Sequence, residues 1–331
     1  MRVLVTGAAG FIGANLCREL ADRPGIDHVI AFDDLSTGFP DNLSGVAVEF
    51  VKGSILDRRL LDDAVDAVDA VIHLAALPSV PRSLADPLRT HEVNATGTVQ
   101  VLEACRRGLV HVVAASSSSV YGSAGASPKH EELPTRPLSP YAASKLAGEA
   151  SVLAYGAAFG LPTLALRFFN VYGPLQSAGH PYAAVIPTFI DAALRGIPMR
   201  IHGDGRQVRD FTFVATVTGV LADAVLGRVA SPSPVNLAFG TRVSVAELAG
   251  RVAGAAGVPP LVEHDPARPG DVRDSQADAG LLRLLFPGAQ PVQLDEGLER
   301  TVAWFRRSQA PAVGDDVPDV ADVSVGSTLT G

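Results

Sequence analysis

The chain has 331 residues and a formal net charge of −8, with 47% hydrophobic and 19% charged residues. Such a length can bury a large core in one large domain or two interlocked ones. The acidic balance argues against a nucleic acid or an anionic membrane as the main partner. No apolar run reaches the ~18 residues of a membrane span, and the N-terminus starts with a strand rather than a signal peptide. We therefore expect a cytoplasmic protein.

The first predicted elements are a strand at residues 2–6 and an amphipathic helix at 12–22. Three glycines, Gly7, Gly10 and Gly13, lie in the turn between them. Glycines allow the backbone to approach a pyrophosphate closely, and the N–H groups and dipole of the following helix attract its charge. The turn therefore predicts a dinucleotide site.

The second predicted strand, at residues 28–32, is followed by Asp33 and Asp34, and Asp33 lies 20 residues beyond Gly13. A carboxylate at this distance can accept hydrogen bonds from an adenosine ribose and would repel a 2′-phosphate. The alternative interpretation is turn chemistry after a strand. We favour the first and expect NAD rather than NADP.

Strands and helices alternate up to about residue 170, which is typical of a parallel sheet with helices on both faces. Further strands are predicted at 47–51, 69–74, 110–116 and 163–169, and helices at 58–66, 84–107 and 140–159. Later helices are predicted at 182–195, 216–227, 244–256 and 294–307, and residues 308–331 are expected to be a disordered tail. Cys17 and Cys105 fall in two of the helices, where we expect buried, reduced thiols.

A tyrosine and a lysine four residues apart, Tyr141 and Lys145, lie in the last helix before residue 170. Residues at this spacing share a helix face, so the ammonium should lie beside the phenol and lower its pKa from ~10. A hydroxyl from the run Ser116–Ser119 could hydrogen-bond the same substrate oxygen. The pattern indicates proton transfer to or from an alcohol, although YxxxK pairs also occur on solvated helix surfaces.

Taken together, the motifs resemble the extended short-chain dehydrogenase/reductase family, and within it the nucleotide-sugar epimerases of the UDP-glucose 4-epimerase type. The resemblance covers residues 1 to about 307 and rests on TGAAGFIG, AFDDL, GSILD, HLAA, EVNATGT, SSSSVYG, YAASK, LRFFNVYGP, GDGRQVRDF and RPGDV. It implies an α/β fold with a Rossmann-type doubly wound parallel sheet at 1–170 and a smaller α/β substrate domain at 171–307. The chain should return to the first domain around 209–237.

The same resemblance implies a bound NAD, a UDP-sugar substrate and a homodimer in which the helices at 84–107 and 140–159 pair. Inversion at the sugar C4 would pass through a transient 4-keto sugar. For the cofactor it implies these residues: Gly7, Gly10, Phe11, Ile12 and Gly13 at the pyrophosphate, Asp33 and Asp34 at the ribose, Ile55 and Asp57 beside the adenine, and Leu74, Ala75, Ala76, Asn94, Tyr141 and Lys145 towards the nicotinamide.

For catalysis the resemblance implies Ser117, Tyr141 and Lys145, and no metal. Substrate contacts are implied for Ser117, Ser118, Ser119, Tyr141, Asn170, Ala184, Val185, Arg209, Arg268 and Ser275. Among these, Asn170, Arg209 and Arg268 match positions that hold the diphosphate, which two arginines could clamp bidentately. Ser275 stands where some members have a bulky Tyr, so it should admit a larger C2 substituent such as N-acetyl.

Departures from the family pattern narrow the reaction. Dehydratases need an Asp-Glu pair where Ser118 and Ser119 stand, so elimination of water is not expected. Thr216 stands in VATV where the family usually has VDDV, and we expect it to cap the following helix. The sugar stays open between the glucose, N-acetylglucosamine and glucuronate series. The alternatives are a UDP-glucuronate decarboxylase, a 4-ketosugar reductase and a non-catalytic dinucleotide sensor.

Overall fold

The computed structural model describes residues 1–179, 183–267 and 273–309. Its strands are β1 (Arg2–Thr6), β2 (His28–Asp33), β3 (Glu49–Lys52), β4 (Ala70–His73), β5 (His111–Ser117), β6 (Thr163–Phe168), β7 (Asn170–Tyr172), β8 (Met199–His202), β9 (Val208–Arg209), β10 (Phe211–Phe213), β11 (Val235–Leu237), β12 (Val243–Ser244), β13 (Val262–Asp265) and β14 (Asp274–Ser275). Its α-helices are α1 (Phe11–Ala21), α2 (Arg58–Val65), α3 (Val80–Ala85), α4 (Pro87–His91), α5 (Gly97–Arg106), α6 (Pro140–Phe159), α7 (Val185–Arg195), α8 (Val214–Leu226), α9 (Val245–Ala256), α10 (Gly280–Leu285) and α11 (Leu294–Gln309).

Seven parallel strands form the central sheet, in the order β11-β6-β5-β4-β1-β2-β3. The order reverses between β1 and β4, because the chain adds β2 and β3 on one side of β1 and the later strands on the other. Ligands of open α/β sheets bind in the crevice outside the carboxyl ends of the strands at such a point. The Rossmann-type doubly wound sheet is therefore confirmed, with the six strands that the sequence predicted before residue 170.

Helices cover both faces of this sheet. α1 packs against α8 on one face, and α2, α5 and α6 pack together on the other. A third core forms where α7, α9 and α11 meet. The chain thus returns to the central sheet at α8 and β11, which lie inside the 209–237 stretch. The division into two domains at residue 170 stays a proposal.

Local signals fix both ends of α6, the helix that carries Tyr141 and Lys145. The Ser139 hydroxyl accepts the Ala142 N–H at 3.1 Å as N-cap, and Pro140 occupies the first turn. Gly160 ends the helix in the left-handed conformation, with φ of 66°. The bounds agree with the prediction of 140–159.

The single helix predicted at 84–107 was wrong. α3 ends at Ala85, Pro87 begins α4, and a π-helical turn at Glu92–Thr96 leads into α5. A proline disfavours the helical conformation of the residue before it, and Asp86 accordingly has φ of −140° and ψ of 82° and caps α4 through the Arg89 N–H.

The helix cap expected at Thr216 was also wrong. α8 begins at Val214, so Thr216 lies inside the helix rather than at its start. Its hydroxyl accepts the Val292 N–H at 3.0 Å and ties α8 to the segment before α11.

Cys17 and Cys105 are buried and unpaired in α1 and α5, as predicted. Across the described ranges, the helices are too short or too polar to cross a bilayer. The tail predicted at 308–331 lies almost wholly outside the described residues, which end at residue 309.

Candidate active site

A cleft of about 710 Å³ opens at the carboxyl ends of β1, β2, β4 and β5. Its far side is formed by residues that follow β6 and β7. The structure brings most of the predicted site residues into this one cleft: Gly7, Gly10, Phe11, Ile12, Gly13, Asp33, Asp34, Ile55, Leu74, Ala75, Ala76, Ser117, Tyr141, Lys145 and Ala184.

The glycine turn after β1 leaves no room for side chains. Gly7 has φ of +72°, and a Cβ there would lie 2.7 Å from the Ala75 nitrogen. At Gly13 a Cβ would lie 2.1 Å from the Gly7 carbonyl oxygen. α1 starts with Gly10 as N-cap and no side chain caps its first turn, so its free N–H groups can receive an anion.

Asp33 is a buried carboxylate that fixes the glycine turn from the end of β2. Its two oxygens accept the Ala9 N–H at 2.9 Å and the Leu35 N–H at 2.8 Å. Burial raises the pKa of Asp33, and these two hydrogen bonds partly offset the rise. Each carboxylate oxygen can accept a further bond, which is what two ribose hydroxyls require.

Ser117 faces the cleft because side chains alternate along β5. Ser116 is buried and its hydroxyl donates to Glu149, whereas Ser117 is half-buried and lines the cleft with Tyr141. The Ser117 oxygen accepts the Ser119 hydroxyl at 2.8 Å and the Ser119 N–H at 3.2 Å. Its own proton is thereby left to donate towards Tyr141.

The expectation that Lys145 lowers the pKa of Tyr141 was wrong for the free protein. Burial raises the pKa of Tyr141, and the opposing interaction comes from the Ser117 hydroxyl. Burial also lowers the pKa of Lys145 to about 8, with Glu149 acting against that fall. The ammonium meanwhile donates to the Ala115 carbonyl.

Asn94 lies beside the cleft rather than in its lining. Its side chain accepts the Leu77 N–H at 2.7 Å and donates to the Leu77 carbonyl at 3.1 Å, so it holds the loop after β4. The Thr98 hydroxyl donates to the Asn94 carbonyl at 2.7 Å, so His73 must donate from Nε2 to Thr98 and accept at Nδ1 from Thr6. Burial lowers the pKa of His73 to about 3, which keeps it neutral.

The structure places three other predicted residues outside the cleft lining. Asp57 is exposed and caps α2 by accepting the Leu60 N–H at 3.2 Å. Ser118 and Ser119 lie on the 3₁₀ turn Ser118–Tyr121, where Ser119 supports Ser117.

Several predicted substrate residues lie on segments around the cleft. Asn170 donates to the Asp210 carbonyl at 3.0 Å, and Val185 is the first residue of α7. Arg209 and Ser275 are register partners in β9 and β14. Arg268 lies outside the described residues. Roles in substrate binding for this group stay predictions.

Other cleft residues were missed by the sequence reasoning. Arg82 lies on α3 and lines the cleft. An arginine near the end of a predicted strand of this acidic chain could have indicated an anion-binding residue. Gln176 follows the NVYGP stretch. Its amide nitrogen donates to the Val171 carbonyl at 3.2 Å, and its buried Oε1 has no hydrogen-bond partner among the residues that the structure describes. The remaining missed lining residues include Ser36, Thr37, Phe39, Ser79, Phe168, Phe169 and Ser177.

Comparison with known proteins assigns the family. The family described as "NAD dependent epimerase/dehydratase family" matches residues 3–234. The chain belongs to this family. Members of the NAD dependent epimerase/dehydratase family act on nucleotide sugars, and the cofactor is NAD. The glycine cradle and the buried Asp33 fit its pyrophosphate and ribose.

The chain is 41% identical over 314 residues to a UDP-glucose 4-epimerase of Mycolicibacterium smegmatis, covering 92% of this chain and 99% of the relative. A UDP-N-acetylglucosamine 4-epimerase from Methanobrevibacter ruminantium, solved with UDP-N-acetylmuramic acid, has a TM-score of 0.87 at 34% identity, covering 93% and 98% of the two chains. A Thermus thermophilus UDP-glucose 4-epimerase solved with NAD has a TM-score of 0.83 at 37% identity, covering 92% and 99%. Other relatives of this family member are named as dehydratases and decarboxylases.

Proposed function

We propose that this protein is a UDP-sugar 4-epimerase with tightly bound NAD. The observation that carries the proposal is the convergence of Ser117, Tyr141 and Lys145 in the same cleft as the glycine turn. The names of the similar epimerases support the assignment. Elimination of water is disfavoured because Ser118 and Ser119 supply neither an acid nor a base.

Tyr141 acts as the general base in the proposed mechanism. Its phenolate takes the proton from the sugar C4 hydroxyl and later returns it to the C4 oxygen, when the keto sugar is reduced from its opposite face. Ser117 donates to the developing phenolate or to the C4 oxygen, since its own acceptor positions are occupied by Ser119. Bound NAD supplies reversible hydride transfer at C4. The mechanism requires the 4-keto sugar to turn between the two transfers within the cleft of about 710 Å³.

The cofactor is proposed to lie along the carboxyl ends of β1, β2 and β4. Gly7, Gly10 and Gly13 would receive the pyrophosphate at the start of α1, and Asp33 the adenosine ribose. Lys145 would hold the nicotinamide ribose, because its side chain lines the same cleft.

The UDP moiety is proposed to lie on the side of the cleft formed after β6 and β7, near Asn170, Ala184 and Val185. Arg209 and Arg268 stay the proposed diphosphate ligands, and Arg82 adds a cation to the cleft lining itself. A bidentate arginine contact is the strongest diphosphate interaction that this acidic chain can offer.

Incubation of the purified protein with UDP-glucose, UDP-N-acetylglucosamine or UDP-glucuronate, each with NAD, tests the function. We expect interconversion at C4 of at least one sugar nucleotide, detected by ion-exchange chromatography. Loss of CO₂ from UDP-glucuronate would instead indicate a decarboxylase. Stoichiometric reduction of the added NAD to free NADH, with accumulation of the 4-keto sugar, would indicate a 4-ketosugar reductase running in reverse. Unchanged sugars with NAD still bound would favour the dinucleotide sensor.

We also propose a homodimer that uses the helices around α4 and α6. Leu84 and Leu88 are 66% and 84% exposed on α3 and α4, which pack against α6. Leu88→Asp should convert the dimer to monomer in light scattering, because a buried unpaired carboxylate costs several kcal/mol. Leu284→Asp on α10, at a position 76% exposed, should leave the mass unchanged. A wild-type protein that is monomeric at working concentration would contradict the proposal.

A further inference from the structure

A buried ion pair lies directly behind the catalytic face of α6. Glu149 is one helical turn beyond Lys145 and 5% exposed, and Arg167 on β6 is 3% exposed. The guanidinium donates from Nε to Oε2 at 2.9 Å and from Nη2 to Oε1 at 2.7 Å. A buried ion pair is no more stable than well-packed apolar residues of the same volume, so stability alone does not account for it.

Glu149 is also connected to the cleft. The Ser116 hydroxyl donates to its Oε2 at 2.6 Å, and Ser116 precedes Ser117 on β5. Ser116, Lys145 and Glu149 together line a small polar cavity of about 10 Å³, with His73 and Asn94 on its other wall. The Glu149 carboxylate and the Lys145 side chain therefore border the same buried polar space.

Arg167 is held in place from its other side. Its guanidinium stacks on the Tyr121 ring at 4.6 Å, and Nη1 donates to the Glu131 carbonyl at 3.3 Å. The Tyr121 hydroxyl donates to Asn236 at 2.7 Å. The pair is thus rigid, which is what a fixed electrostatic field requires.

We propose that Glu149 and Arg167 form a positioning pair, in which the Glu149 carboxylate favours the charged form of Lys145 and holds Ser116, and Arg167 orients that carboxylate and balances its charge. In the described residues the other titratable groups around Lys145 are Tyr141 and His73, and His73 is neutral. Glu149 is therefore the anion that opposes the desolvation of Lys145. The proposal rests on the proposed function only for its activity readout.

The charge of Lys145 can be read without catalysis. The unprotonated amine reacts with acetic anhydride, and peptide mass spectrometry of the labelled protein gives the pH at which Lys145 is half reactive. Glu149→Gln removes the carboxylate but leaves Arg167 buried and positive. We expect the half-reaction pH to fall by roughly one unit or more, because like charge disfavours the ammonium.

Arg167→Met should move the half-reaction pH in the opposite direction, because the carboxylate then faces Lys145 without its counter-charge. Glu149→Gln combined with Arg167→Met should return it towards the wild-type value. Glu103→Gln is the matched control, since Glu103 forms a comparable ion pair with Arg106 on the surface of α5. Circular dichroism melts check folding of every variant.

In the epimerase assay the alkaline limb of the pH–rate profile should shift with the labelling curve, so that Glu149→Gln loses roughly 10-fold in rate one pH unit above neutrality. A merely structural pair would lower the rate at every pH and leave the limb in place. Unchanged labelling in Glu149→Gln and Arg167→Met, or shifts of the same sign, would overturn the proposal. If the protein proves not to be an epimerase, the labelling result still decides the role of Glu149.

Discussion

Tyr141→Phe should reduce C4 epimerisation by about 10³-fold, within the 10²–10⁴ range of general acid–base catalysis. The substitution removes only the hydroxyl, so the ring still fills the half-buried position on α6 and the cofactor should stay bound. The measurement is the initial rate of conversion of the sugar nucleotide, with bound NAD quantified in the same preparation after heat release.

Tyr155→Phe is the matched control, because Tyr155 lies on the same helix and its hydroxyl donates to Glu103 at 2.7 Å, away from the cleft. Its rate should equal that of the wild type. A Tyr141→Phe variant that retains a tenth or more of the activity would exclude Tyr141 as the base.

The pH dependence gives the same residue a second test. Since the Ser117 hydroxyl lowers the pKa of Tyr141 while burial raises it, Ser117→Ala should leave that pKa still higher. The phenolate forms as pH rises, so the acidic limb of the pH–rate profile should move to higher pH in this variant. An unshifted limb would show that Ser117 does not act on Tyr141.

The helices and strands with clear apolar patterns and clear boundary residues could be predicted from the sequence. The strands before residue 170 are short apolar runs bounded by turn residues, and α6 carries its own cap, proline and terminal glycine. The single helix predicted at 84–107 was wrong because Pro87 separates α3 from α4. Pro87 keeps Asp86 out of the helical conformation, so the chain forms two short helices there instead of one long one.

The candidate site could be predicted where a motif dictates backbone geometry, as at Gly7 and Gly13. It could not be predicted where the tertiary environment sets the chemistry. The YxxxK spacing predicts that Lys145 lowers the pKa of Tyr141, but only the packed structure shows that burial raises this pKa and that the Ser117 hydroxyl opposes the rise. In the sequence Glu149 resembles a solvated helix residue. Only the folded structure shows that it is buried in an ion pair with Arg167 of β6.

Gly13→Ala should abolish retention of NAD. The added Cβ would lie 2.1 Å from the Gly7 carbonyl oxygen and 2.8 Å from the Ala8 Cα, and both are backbone atoms that no rotamer change can move. Relief requires the turn after β1 to shift into the cleft that should receive the pyrophosphate. Such overpacking costs about 1–3 kcal/mol in stability, and a cofactor penalty of ~3 kcal/mol weakens binding by roughly 100-fold.

Gly219→Ala distinguishes this steric effect from a general intolerance of glycine replacement. Gly219 lies in α8, which packs against α1, and a Cβ there meets no atom within 4 Å. Because alanine favours the helix by about 0.5–1 kcal/mol over glycine, this variant should melt slightly higher and keep its NAD. Calorimetric titration with NAD and circular dichroism melts measure both effects. Wild-type NAD content in Gly13→Ala would show that the cofactor does not lie on the glycine turn, because the turn cannot accept a methyl group without moving.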